Sequence, residues 1–334
     1  MKSVTKHILE KEALVHLVEE NFPGEQIGKL VELEEGMFNS AYLLTGSGIL
    51  KDGAVLKLGP KRETKVLTYE KDILKAEVEV LNILEKMPIP TPRVLAGGNY
   101  HGSDYFFMTC MEGELWKNVD RELIQQARPQ LMRELGRYNA IIHALPGKWF
   151  GYLKDDKRYQ YDTWYEAFYG MMNDILEDGR RDGHELPYNE IRRAIVKNRT
   201  ALDLVKEPWL VDYDMWAGNV FVKLKEAGDN KGLLKVSGII DFERCFYGDP
   251  YADFTSAFGL FDDVEKEPEF CEGYNEAAGH EIWIGEPERI RMDLYRLYMF
   301  VILFVETYRY EEEVAEGRRT NCRKVMKDLL RKLG

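Results

Sequence analysis

The stretch "LVDYDMWAGNVFVKLKEAGDNKGLLKVSGIIDFERCFYGDP", residues 210–250, sets carboxylates and amides between apolar runs. "NVFVKL" and "LLKVSGII" flank "KEAGDNKG", whose glycines, Asp229 and Asn230 are turn formers, so the segment reads as a β-hairpin. A hairpin brings its two ends together. Asn219, at the start of the first strand, and Asp241, at the end of the returning strand, therefore converge, with Asp214 in the loop beside them. Two oxygen ligands at the mouth of a hairpin suit Mg2+, which favours carboxylates and amides. Asp214 is then free to orient a hydroxyl and accept its proton. The other acids have plainer readings. Asp229 is a turn residue, Asp249 and Asp253 in "GDPYAD" cap helices or brace a loop, and Glu243 lies beside the metal segment or faces solvent.

Working outward, residues 29–110 are strand-rich with one helix, and the chain beyond about 120 is helix-rich with the hairpin as its strand insert. A lead-in helix is expected over 7–20. "KLVELEEGMFNSAYLLTGSGILKDGAVLKLGP" alternates apolar and polar residues between turn signals and reads as three antiparallel strands. A helix over 73–87, strands over 93–97 and 104–110, and "MEGELW" as a connector complete this part. The C-terminal part offers helices near 121–145, 162–178, 188–205 and 288–314, with a short one at the C-terminus.

In the helix 73–87, Leu74, Val78, Leu81 and Leu84 form an apolar face that also carries Glu77. A buried carboxylate needs a cation. Lys57, inside the apolar "AVLKLG", is the candidate, against the plainer reading in which both groups face solvent.

These features together resemble the protein-kinase-like fold, and more narrowly the aminoglycoside phosphotransferase and choline kinase branch. There the catalytic loop commonly reads "HGDxxxxN" and the metal segment "IDFxxxxxGDPxxD"; here they read "DYDMWAGN" (212–219) and "IDFERCFYGDPYAD" (240–253). The resemblance runs from "EGMFNSAYLL" through "AVLKLGP", "AEVEVLNIL", "IPTPRVLA" and "MEGELW" to "LGRYNAIIHAL". It implies an α+β bilobal fold: an N-terminal nucleotide-binding lobe over 1–111, with a five-stranded antiparallel sheet and one main helix, and a mostly helical catalytic and substrate-binding lobe over 112–334. The hinge falls at about 108–113. It further implies that Lys57 contacts the α- and β-phosphates and is held by Glu77, that Asp214 is the base, and that Asn219 and Asp241 bind Mg2+. The turn "GMFNS" (36–40) would bring backbone N–H groups and the Asn39 and Ser40 side chains to the phosphates. The backbone of Thr109 to Met111 would bond the adenine edge, with Met108 behind it.

One departure stands out. Asp212 replaces the family histidine, and Tyr213 replaces the glycine. An aspartate donates a hydrogen bond only when protonated, so Asp212 is expected to accept from a backbone N–H or pair with an arginine such as Arg244. The implied activity is transfer of the γ-phosphate of ATP or GTP to a hydroxyl of a small molecule, such as an aminoglycoside or another amino sugar or amino alcohol. Two alternatives are a nucleotide-binding pseudokinase acting through partners and a fructosamine-type sugar kinase, since "WAGN" is similar to the "WSGN" of fructosamine kinases. A protein kinase is disfavoured, because no APE-like motif follows "DFE".

Composition agrees with this class. The net charge of −12 opposes binding to a phosphate backbone and suits a cationic small molecule. Aromatics at 159–179 and acids at 261–276 are acceptor-pocket candidates beside their plainer reading as core and solvated face. The longest apolar run, "LYMFVILFV" at 297–305, is far short of the roughly 20 residues a bilayer requires. With a charged, amphipathic N-terminus, the expected compartment is the cytoplasm. Four scattered cysteines and six scattered histidines offer no CxxC or HExxH, so neither a disulfide framework nor a transition-metal site is expected. The glycine pair in "TGSGILKDG" is a hairpin turn, and His143 in "IIHAL" is a packed or capping histidine.

Overall fold

The computed structural model describes residues 5–34, 36, 38–226, 232–256 and 260–334. Helix α1 (Lys11–Asn21) precedes strands β1 (Ile27–Glu32), β2 (Ser40–Gly46) and β3 (Ala54–Leu58), helix α2 (Ile73–Leu84), and strands β4 (Val94–Tyr100) and β5 (Ser103–Thr109). The five strands form one antiparallel sheet in the order β1-β2-β3-β5-β4. Alternation places Ser40, Tyr42 and Leu44 inside on β2, as a half-buried strand requires. On α2 the buried set is Ile73, Leu74, Ala76, Glu77, Val80, Leu81 and Leu84, with Val78 at the edge of that face. The lead-in helix begins at Lys11 because the preceding Leu9 instead donates its N–H to the Tyr42 hydroxyl.

The rest of the chain comprises β6 (Glu114–Leu115), α3 (Arg121–His143), β7 (Gly151–Tyr152), α4 (Trp164–Arg181), α5 (Tyr188–Lys197), α6 (Arg199–Leu202), β8 (Trp209–Val211), β9 (Val220–Leu224), β10 (Leu234–Ile239), β11 (Phe246–Gly248), α7 (Asp253–Ser256), α8 (Pro268–Ala278), α9 (Glu286–Val305) and α10 (Glu312–Leu333). The hairpin β9–β10 forms as expected; its turn residues Asp229 and Asn230 lie outside the described residues.

This part holds more strand and more helix breaks than the sequence suggests. "MEGELW" is not a plain connector, since β6 adds to the hairpin as a third strand. A second three-stranded sheet, β7-β11-β8, is built from two- and three-residue strands too short to show a period. The helix expected over 188–205 divides at Asn198, whose side-chain N–H donates to the Ala194 carbonyl. The one expected over 288–314 ends at Val305, and a 3-10 turn over Glu306–Arg309 redirects the chain into α10, a 22-residue helix where a short one was expected.

The acidic stretch 261–276 runs into α8, which buries Phe270 and Tyr274 against α3. The helices approach so closely that a Cβ at Gly136 would lie 2.0 Å from the Phe270 carbonyl oxygen. Among the described residues, no helix is long and apolar enough to cross a membrane.

Candidate active site

Strand β3 carries Lys57 inward between Leu56 and Leu58, and α2 carries Glu77 on its buried face. Lys57 Nζ donates to Glu77 Oε2 at 2.6 Å, to Asp241 Oδ1 at 2.6 Å and to Glu243 Oε2 at 2.9 Å. Glu243 also accepts from Asn39 Nδ2 at 2.7 Å, so the turn ahead of β2 is tied to the segment after β10. Burial opposes the Lys57 ammonium, yet the three carboxylates raise its pKa well above the usual value. One ammonium serves three acids, and they divide it unequally. Burial lifts Glu77 to about 8, whereas Lys57, working against the same burial, holds Asp241 below the usual carboxylate range.

The hairpin does what its topology requires. Ile240 N–H donates to the Asn219 carbonyl at 3.0 Å, which closes the mouth and sets Asp241 beside the 212–219 loop. In that loop Asn219 Nδ2 donates to the Asp214 carbonyl at 2.9 Å and to Asp214 Oδ2 at 3.1 Å. The five-residue spacing thus closes on itself. Burial pushes Asp214 up to about 7, opposed by Arg244 and reinforced by Asp241, Glu243 and Glu306.

Arg244 departs from expectation. It turns away from Asp212: Nε lies 3.8 Å from Asp214 Oδ1, and a terminal nitrogen lies 3.2 Å from Glu306 Oε2. Its place in "DFERC" gave no sign of this, because Glu306 is 62 residues away. Asp212 does not pair with Arg244: its carboxylate is buried with the Asp214 backbone N–H beside it, and its own N–H donates to Asp253 Oδ2 at 3.1 Å.

The loop is braced by Asp253. Its carboxylate accepts from the N–H groups of Asp212 and Tyr213 and from Asn139, and it meets His143 Nε2 at 2.8 Å. His143 is thus a packed histidine, with Tyr274 on its other ring nitrogen. Asp249 caps the turn at Pro250 through the Tyr251 N–H and receives Arg291 and Tyr295 from α9.

Tyr213 adopts φ +62°, a left-handed conformation that glycine takes freely and a tyrosine only at a cost. The cost is offset by burial of the ring against Phe246 and Tyr298 and by a hydrogen bond from its hydroxyl to the Tyr295 carbonyl at 2.6 Å.

Burial, together with the nearby Asp253, Asp214 and Asp241, raises Asp212 well above the usual carboxylate range. A carboxyl whose folded pKa is raised contributes stability below its unfolded pKa that is lost as pH rises through the folded value. Asp212→Asn should therefore melt higher than the parent at pH 8, by about 1.4 kcal/mol for each unit of the rise removed, with the advantage vanishing near pH 4. Thermal unfolding across that range checks the sign.

The remaining expected residues are more dispersed. Ser40 is fully buried within β2 and outside the lysine cluster. Thr109 exchanges hydrogen bonds with Arg93 through its N–H and hydroxyl. Met111 packs on Gly238 of β10, where a Cβ would meet its side chain at 2.8 Å.

The profile of the phosphotransferase enzyme family matches residues 29–292, so the chain belongs to that family, and it is a small-molecule phosphotransferase. A probable ketoamine kinase of Staphylococcus aureus is 28% identical over 258 residues, covering 70% of this chain and 76% of that protein. A putative fructosamine-3-kinase of Haemophilus somnus superposes with a TM-score of 0.62 at 17% identity, over 94% of this chain and 96% of that one. A thermostable mutant of the aminoglycoside phosphotransferase APH(4)-Ia, in a ternary complex with AMP-PNP and hygromycin B, gives a TM-score of 0.63 at 16% identity, over 95% of this chain and 97% of that one.

Proposed function

We propose that the enzyme transfers the γ-phosphate of ATP, or of GTP, to a hydroxyl of an amine-bearing sugar, a ketoamine first. The observation that carries the reading is the convergence of Lys57, Glu77 and Asp241, drawn from three separate elements, beside the closed Asp214–Asn219 loop. In this reading residues 1–111 form the nucleotide lobe and 112–334 the catalytic lobe, with the hinge at 108–113. The passage of the chain from β5 in one sheet to β6 in another supports that boundary. The backbone over Thr109–Met111 meets the adenine edge, and the turn at Asn39 and Ser40 meets the phosphates.

The donor set fits Mg2+. Glu77, Asp241 and Glu243 offer carboxylate oxygens within 4.8 Å of one another, and Asn219, with its Nδ2 committed to Asp214, keeps Oδ1 as a ligand atom. Asp241 and Asn219 would hold the ion, which supplies charge neutralisation on the phosphates when bound. Lys57, steadied by Glu77, turns from Asp241 to the phosphate oxygens. Asp214 orients the acceptor hydroxyl and takes its proton at a carboxylate oxygen, and a pKa near 7 suits that exchange.

The 28% identity to a probable ketoamine kinase supports the ketoamine reading, and the family match keeps aminoglycosides as the second. A transfer screen with radiolabelled ATP and GTP against a fructosamine, an aminoglycoside and an amino alcohol decides between them. Phosphate on the fructosamine alone is the expected result, and phosphate on none of the three would overturn the reading.

A further inference from the structure

The 3-10 turn that ends α9 reaches both halves of the site. Arg309 lies over the Phe38 ring, 5.1 Å from its centroid, and forms a buried ion pair with Glu70 ahead of α2. Phe38 immediately precedes Asn39, which bonds Glu243. One turn back, Glu306 lies 3.9 Å from Arg309 and 3.2 Å from Arg244, whose Nε is 3.8 Å from Asp214. Glu70, Arg309, Glu306, Arg244 and Asp214 thus form a chain of alternating charge from beneath the phosphate turn to the base. Glu70, Glu306 and Arg309 are 3%, 4% and 7% exposed. Ions this buried hold one geometry, because leaving any of them unpaired is costly.

We propose that Arg309 and Glu306 are positioning residues for the transfer: Arg309 sets the phosphate-binding turn through Phe38, and Glu306 sets Asp214 through Arg244. This rests on the function proposed above. A guanidinium suits the first task because its planar face stacks on a ring while its edge pairs with a carboxylate. Glu306 suits the second because Arg244, held from the far side, presents its Nε edge to Asp214. A single segment of chain thereby fixes the spacing between the nucleotide turn and the base, although neither residue touches the reacting atoms.

The two roles separate in the kinetics. Arg309→Met combined with Glu70→Gln removes both charges of the first pair, so that no new buried ion is left alone. Its dissociation constant for Mg2+–AMP-PNP should rise about tenfold, with the rate of ATP hydrolysis to water at saturating nucleotide within about threefold of the parent. Glu306→Gln should show the reverse: nucleotide affinity unchanged and that rate down about tenfold. Arg309→Lys keeps the charge towards Glu70 but loses the planar face over Phe38, and should weaken nucleotide binding only a few-fold. Melting temperatures accompany each variant. Lower melting with affinity and rate both at parental levels would show a purely structural role and overturn the proposal, as would equal losses of both in every variant. A parent that bound no Mg2+–AMP-PNP would overturn the proposed function itself, and this inference with it.

Discussion

Asp214→Ala should lower turnover about a thousandfold, within the range of about 10^2 to 10^4 that a positioned base contributes, while nucleotide affinity stays within about twofold. The geometry explains the separation. Asp214 touches Asn219 and faces Arg244, whereas the lysine cluster is built from β3, α2 and the segment after β10. Arg244 retains Glu306 when Asp214 is truncated, so the loss exposes no lone buried cation. Asp214→Asn keeps the shape without the proton acceptor and should be equally inactive. ADP release and direct titration of Mg2+–AMP-PNP together provide the measurement, and parental turnover in the alanine variant would refute the assignment.

Lys57→Met should remove both activity and a large share of stability. Without the ammonium, Glu77, Asp241 and Glu243 lie within 4.8 Å of one another and cannot all stay ionised. Breaking a buried pair by removing one partner costs about 3–5 kcal/mol, and the expected loss at pH 8 is of that order. The pH dependence gives the diagnostic sign. Carboxyls whose folded pKa values are raised keep their stability contribution at low pH and lose it as pH rises through those values. The gap in melting temperature between variant and parent should therefore be widest near pH 8 and shrink towards pH 5. Turnover should fall at least about a hundredfold at every pH, since in the proposed reading the ammonium's contact with the nucleotide phosphates is gone. A pH-independent stability gap would contradict the shared-lysine arrangement.

The parts of the site written in local spacing were legible in the sequence. Asp214 and Asn219 are bound by a five-residue loop, and Asn219 and Asp241 by the ends of one hairpin, so turn chemistry and strand alternation sufficed to bring them together. The Lys57–Glu77 pair was legible for a different reason, because each is a charge in an otherwise apolar face. What escaped was long-range pairing. The partner of Arg244 lies 62 residues on and that of Arg309 lies 239 residues back, and no periodicity in the chain marks either. The short strands β6, β7, β8 and β11 escaped likewise, since two or three residues carry no period and gain strand geometry only from tertiary neighbours.

Tyr213 also bears on how independently the loop and α9 can be altered. Its ring fills space that a glycine would leave empty, and its hydroxyl ties the loop to α9 at Tyr295. Tyr213→Gly would relax the backbone and at the same stroke open a hole the size of a tyrosine in the core. The 212–219 loop and α9 are therefore bound to each other: a smaller residue at position 213 leaves α9 facing a cavity, and a change of the α9 face at Tyr298 leaves the strained Tyr213 backbone without the packing that offsets it.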